Sequence, residues 1–154
     1  MKTFIVPVDF SAVTDHVVDT AVSLARSLDG KIALVHIIQP PVVTSEYGLP
    51  VEALQDAIMI SEQAATKHLA RLGERVAKEG VKFETILRHG PPVSGILEEA
   101  DKAQADFIVI GSHGHGKLYD LLVGTTAFGL LKRAKCAVVI LPPEAKPAPK
   151  PVLP

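Results

Sequence analysis

The sequence predicts a doubly wound α/β domain built on a five-stranded parallel sheet. Short, β-branched apolar runs alternate along the chain with longer stretches of helical periodicity, as expected when helices cover both faces of a parallel sheet. The runs are apolar at consecutive positions, the pattern of strands buried on both sides. A glycine cluster also follows the fourth run directly, and sheets of this kind bind ligands beyond the carboxyl ends of their strands.

Thr3-Phe4-Ile5-Val6-Pro7-Val8 reads as the first strand, ending at Asp9. Val13, Val17, Ala21, Leu24, Ala25 and Leu28 then recur at helical spacing. Ser11 or Thr14 is the expected cap of this helix, and Asp29-Gly30 its expected stop. Lys31 to Ile38 forms the second strand, and Gln39 to Pro50, rich in proline and small polar residues, reads as a surface loop. A long amphipathic helix covers Val51 to Glu79 and ends at Gly80. Val81 to Leu87 is the third strand. Gly90-Pro91-Pro92 opens a helix reaching Gln104, because proline fits a helix's first turn. Phe107 to Ile110 is the fourth strand, Gly124 to Arg133 the last helix and Ala137 to Leu141 the fifth strand. Residues 1–142 thus read as one domain. The segment 143–154, dominated by Pro, Lys and Ala, reads as a flexible tail.

With 154 residues, 47% of them hydrophobic, the chain has enough apolar material for a core without staples. Its formal charge of -1 gives no general reason to expect nucleic acid or an anionic membrane as a partner. The single cysteine, Cys136, precedes an apolar run and reads as a structural thiol in a reducing compartment. The apolar stretch after Lys2 is broken by Pro7 and Asp9, too early for a signal peptide. A cytoplasmic location is the expectation.

The segment from Gly111 to Thr126 carries the functional signal. Glycine lets a backbone approach phosphate oxygens with no Cβ in the way. A helix starting at Gly124 would offer unpaired amides and its positive dipole end to an anion. The hydroxyls of Ser112, Thr125 and Thr126 add hydrogen bonds to phosphate or to a divalent ion. Gly111 to Lys117 also meets the first part of a P-loop, but Leu118 stands where Ser or Thr should coordinate magnesium. A Rossmann turn fails as well, because Gly114-His115-Gly116 leads to Tyr119 instead of glycine. His113 and His115 lack companions at a metal-ligand spacing. His36, inside an apolar strand, reads as a partly buried histidine with its hydrogen bonds met.

Gly111, two residues, Gly114, nine residues, then Gly124-Thr125 resembles the ATP-binding signature of the universal stress protein family. Phe4 to Ser11, Leu34 to Ile38, Ala105 to Gly114 and Cys136 to Leu141 are similar to that family's strands and loop. The resemblance implies the strand order 3-2-1-4-5 of an adenine nucleotide alpha hydrolase-like fold. It also implies ATP, with magnesium as an optional companion. By position, Asp9 would reach the ribose or adenine side, with Pro7 and Val8 lining the base pocket. Ile37 would supply a main-chain contact to adenine, and Ile110 and Gly111 would flank base and ribose. Ser112, His113, Gly114, Gly124, Thr125 and Thr126 would complete the cradle around the phosphates. The family often carries a small apolar residue where Thr126 stands and charged residues near Phe128 and Gly129.

The function implied is a stress-response or signalling module whose nucleotide occupancy modulates dimer or partner interactions. It would be a binding module and not an enzyme. The alternative is a slow ATP hydrolase or phosphotransferase, for which His113, His115, Lys117 and Asp120 are the candidates. The apolar strand 137–141 would lie at a sheet edge, an unpaired template for another chain. In the resembled family this edge pairs across a two-fold axis, so a homodimer is expected.

Overall fold

The computed structural model describes residues 1–40, 50–112 and 124–143. Strand and helix alternate as β1 (Lys2–Pro7), α1 (Thr14–Ser27), β2 (Gly30–Ile38), α2 (Val51–Lys78), β3 (Lys82–His89), α3 (Pro92–Lys102), β4 (Phe107–Gly111), α4 (Thr125–Arg133) and β5 (Ala137–Leu141). Among the described residues the strands form one five-stranded sheet in the order β3-β2-β1-β4-β5. Every pairing is parallel. The order is the one the family resemblance implies, and it reverses at β1, between β2 and β4.

Side chains alternate faces along a strand, so consecutive apolar residues feed two cores. Phe4, Val6, Leu34 and Val109 pack with α1 and α2 through Val18, Leu72 and Val76. Ile5, Val35, Ile108 and Ile110 pack on the other face with Ile96 of α3 and Leu130 of α4. Phe4, Ile5, Leu34 and Ile108 are completely buried, each burial stabilising by roughly 1.5–3 kcal/mol. The two edge strands are the less covered: Phe83 on β3 is 41% exposed, and β5 has no fully buried residue.

Two details of the first helix differ from expectation. Its N-cap is Val13, with no side-chain cap bond. The Ser11 carbonyl instead accepts the Thr14 amide at 3.1 Å, and Asp9, not Ser11 or Thr14, supplies the local side-chain acceptor. The helix stop is also shifted. Asp29 takes the left-handed conformation with φ 50°, while Gly30 already belongs to β2. Gly30 answers to packing: a Cβ there would lie 2.5 Å from the ring of Phe4. At the end of α2, by contrast, Gly80 has φ 76° and ends the helix as predicted.

Exposed ion pairs fasten α2 to α1. Arg75 donates to both carboxylate oxygens of Asp19 at 2.7 and 2.6 Å, and Arg71 donates to Asp15 at 3.3 Å. Solvent-facing pairs of this kind contribute only about 0.2–1 kcal/mol each. Their positional effect matters more here, because α2 brings His68 over the loop that follows β1.

Candidate functional site

Beyond the carboxyl ends of the strands, where the sheet order reverses, lies a cleft of about 450 Å³, within the range of small-ligand sites. Its walls come from segments far apart in sequence. Pro7, Val8 and Asp9 leave β1 at one side. The Asp9 carboxylate accepts the Ser11 amide at 3.0 Å and the Thr14 hydroxyl at 3.4 Å. This Asx turn folds the chain back into α1. Between them Phe10 has φ 61°, a conformation that costs a side-chain-bearing residue roughly 1–2 kcal/mol.

The opposite wall is the end of β4 and the start of α4. Ile110, Gly111 and Ser112 line it together with Gly124, Thr125 and Thr126. Gly111 sits against α1 so closely that a Cβ would stand 3.3 Å from Val13. Two main-chain bonds join the pieces: Ser112 donates to the Leu141 carbonyl at 2.7 Å, and Gly124 donates to the Ser112 carbonyl at 2.6 Å. The N-cap residue Gly124 makes no side-chain cap bond, and with Thr125 and Thr126 it brings the positive end of the helix dipole to the cleft.

Val35, His36, Ile37 and Gln39 of the β2 segment form the third wall, and Pro92 and Ile96 of α3 the fourth. The His36 Nδ1 lies 2.7 Å from the Val8 carbonyl oxygen. Since a carbonyl only accepts, Nδ1 carries the proton. The Phe10 ring packs on the His36 ring at a centroid distance of 4.4 Å and on the His68 ring at 4.7 Å. Gly95 lets α3 approach this wall, because a Cβ there would lie 2.9 Å from the Ile37 Cδ1. Outside the cleft, Arg88 on β3 donates to Glu98 and Glu99 of α3. Hydrogen bonding to that guanidinium holds the Glu98 carboxyl below the usual carboxylate range.

The cleft thus gathers Pro7, Val8, Asp9, Ile37, Ile110, Gly111, Ser112, Gly124, Thr125 and Thr126 from the sequence reading. His113 and Gly114 lie outside the described residues, as do the alternative candidates His115, Lys117 and Asp120. Sequence reasoning missed Val13, Val17, Gln39, Pro92 and Ile96 as lining residues, and it read His36 as a partly buried histidine with its hydrogen bonds met, without placing it at the cleft. The apolar residues carry no signal that separates a cleft wall from a core face. The position of His36, one residue before Ile37, was the available clue. Among the described residues no group of three or more His, Cys, Asp or Glu side chains is placed to hold a metal. None of their helices is long and apolar enough to cross a membrane.

A parallel sheet of this order, open at its switch point, agrees with the adenine nucleotide alpha hydrolase-like class of α/β folds. Within it the chain belongs to the universal stress protein family, whose sequence profile matches residues 1–142. It is 28% identical over 141 residues to universal stress protein MJ0531 of Methanocaldococcus jannaschii, covering 91% of this chain and 81% of that protein. Universal stress protein UspA from Lactobacillus plantarum superposes with a TM-score of 0.80 at 20% identity, over 91% of this chain and 97% of that one. A universal stress protein in complex with cAMP gives 0.69 at 22% identity, over 92% and 96% of the two chains. The Archaeoglobus fulgidus universal stress protein in complex with dAMP gives 0.64 at 22% identity, over 91% and 97%. At these identities the superpositions speak for the fold alone.

Proposed function

We propose that the protein is an ATP-binding stress-response or signalling module of the cytoplasm. In this reading nucleotide occupancy shifts its dimer state or its affinity for a partner. The observation that carries the reading is the joining of two unlike walls across one cleft of about 450 Å³. On one side are the apolar residues Val8, Ile37 and Ile96, suited to a base. On the other is the start of α4 at Gly124 with the hydroxyls of Thr125 and Thr126, suited to phosphate. The same hydroxyls are the residues that would help hold a magnesium ion accompanying the phosphates. Structural relatives in complex with cAMP and dAMP add support for an adenine nucleotide.

Binding without dedicated turnover is sufficient for such a module. A ligand shifts a two-state equilibrium by its differential affinity alone, with no bond broken. The partner copy would pair along the edge of β5; on α4, which contacts β5, Phe128 and Leu131 are 53% and 57% exposed. Denaturing the purified protein and identifying released nucleotide by chromatography tests the reading, with an ATP titration by calorimetry beside it. Failure of both overturns it. Phosphate release by wild type that His113→Ala abolishes would favour the hydrolase alternative.

A further inference from the structure

The geometry assigns His36 the role of a positioning residue that keeps the Ile37 amide available to a ligand. The assignment rests on the bonding at the last rung between β1 and β2. In a parallel ladder one residue is held by two residues of its neighbour: it donates to one carbonyl and accepts from the amide two positions further on. Val8 makes the first of these bonds, donating to the Val35 carbonyl at 2.8 Å. The second would come from the Ile37 amide. Among the described residues no main-chain bond joins that amide to Val8, and β1 ends at Pro7. The Val8 carbonyl is bonded instead to the His36 imidazole, at 2.7 Å.

One side-chain donor has therefore taken the place of a main-chain donor. The Val8 carbonyl is satisfied, as a part-buried acceptor needs to be. The Ile37 amide is left on the side of β2 from which β1 has departed, and both Ile37 and Val8 line the cleft. An amide so placed suits the acceptor edge of a planar heterocycle lying along β2. The His36 ring is itself held in place. Phe10, with its left-handed backbone, packs on it at 4.4 Å, and the His68 ring of α2 in turn stacks on Phe10 at 4.7 Å. The role of Ile37 toward a base belongs to the nucleotide reading on which this inference rests; the role of His36 is readable without any ligand.

Amide hydrogen exchange by NMR on the ligand-free full chain tests it first. The Ile37 amide should exchange at least about tenfold faster than its sheet neighbour Val35, because it lacks a ladder partner. In His36→Leu the Val8 carbonyl is vacated, and the Ile37 amide should close onto it and slow by about tenfold. General damage to the fold would have the opposite sign, since loosening speeds exchange. His36→Asn restores a donor near the position of Nδ1 and should keep Ile37 fast. For ATP, calorimetry should give affinity about tenfold weaker in His36→Leu and within about threefold of wild type in His36→Asn. A wild-type Ile37 amide as protected as Val35 overturns the assignment. So does an Ile37 amide that His36→Leu leaves unchanged or accelerates. If the exchange pattern appears while wild type fails to bind ATP, the nucleotide reading falls and the His36 substitution in the ladder stands.

Discussion

The amide of Gly124 donates to the carbonyl of Ser112 at 2.6 Å, so the end of β4 and the start of α4 are fastened together across the segment 113–123. This bond unites two halves of an anion cradle that the sequence presents as separate glycine positions. Gly124 itself has φ -56° and ψ 158°, a conformation open to any residue. Backbone freedom therefore does not require glycine here, and a side chain would matter through the room it takes from a bound phosphate. Gly124→Val should leave the unfolding midpoint nearly unchanged and weaken ATP binding by at least about tenfold, or about 1.4 kcal/mol. Calorimetry reads the affinity, and a wild-type value would remove phosphate from this wall.

Gly95 couples α3 to the cleft. A methyl group there would approach the Ile37 Cδ1 at 2.9 Å, the mobile end of a side chain that can turn aside. Helix propensity favours alanine over glycine by about 1 kcal/mol. Gly95→Ala should therefore change stability by less than about 1 kcal/mol in urea titrations, the gain and the crowding offsetting each other. ATP affinity should nevertheless fall several-fold, because Ile37 lines the cleft and must move. Unchanged affinity would show that the Ile37 side chain does not shape the site.

Asp106 ties the beginning of β4 to β1. Its carboxylate accepts the Thr3 amide at 2.8 Å, its own amide donates to the Thr3 carbonyl at 2.9 Å, and Lys2 lies 3.5 Å away. The hydrogen bond from Thr3, and then the charge of Lys2, hold the carboxyl below the usual aspartate range despite some desolvation. A depressed folded-state value stabilises the protein above the unfolded-state value, near 3.8, and that contribution disappears as pH falls through the folded value. Urea titrations should show Asp106→Asn less stable than wild type at pH 7, with the gap narrowing on acidification below about pH 4. A gap independent of pH would assign the effect to packing.

The dimer reading makes its own demand on α4. Phe128 and Leu131 are exposed on α4, the helix that contacts the edge strand β5, and replacing both with lysine would set charge on the helix next to the edge where a second copy is proposed to sit. Light scattering should give the mass of two chains for wild type, and the double variant should dissociate at concentrations at least about tenfold higher. A wild-type mass of one chain at micromolar concentration would sink the pairing.

Periodicity made the alternation of strands and helices legible, and β5 runs over the same residues as predicted. Strand order was not legible in this way. Each run is apolar throughout, so nothing within Phe4-Ile5-Val6 says which strand lies beside it; the order came from the likeness to a family. The glycine signal led to one wall of the cleft, and Asp9 and Ile37 to two more through the same likeness. Pro92 and Ile96 escaped because α3 reaches the cleft only through the close approach at Gly95. The left-handed turn at Asp29 escaped because the neighbouring Gly30 offered the more obvious residue for it. His36 was legible as a histidine with its hydrogen bonds met, but not its partner, the main-chain carbonyl of Val8 just past β1, since no side-chain pattern announces such a bond.

The cleft draws its walls from positions between Pro7 and Ala127, brought together by strands that pair only in the completed sheet. No single stretch of chain carries enough of it to recognise a ligand. A nucleotide held there would span the seam at which the order of strands reverses, acting as a non-covalent staple between its two halves. Occupancy would then report that the entire sheet is intact, and ligand would raise the unfolding free energy by RT ln(1 + [L]/Kd). A folded copy without ligand would lack that increment of stability and would be the first to be cleared by proteolysis.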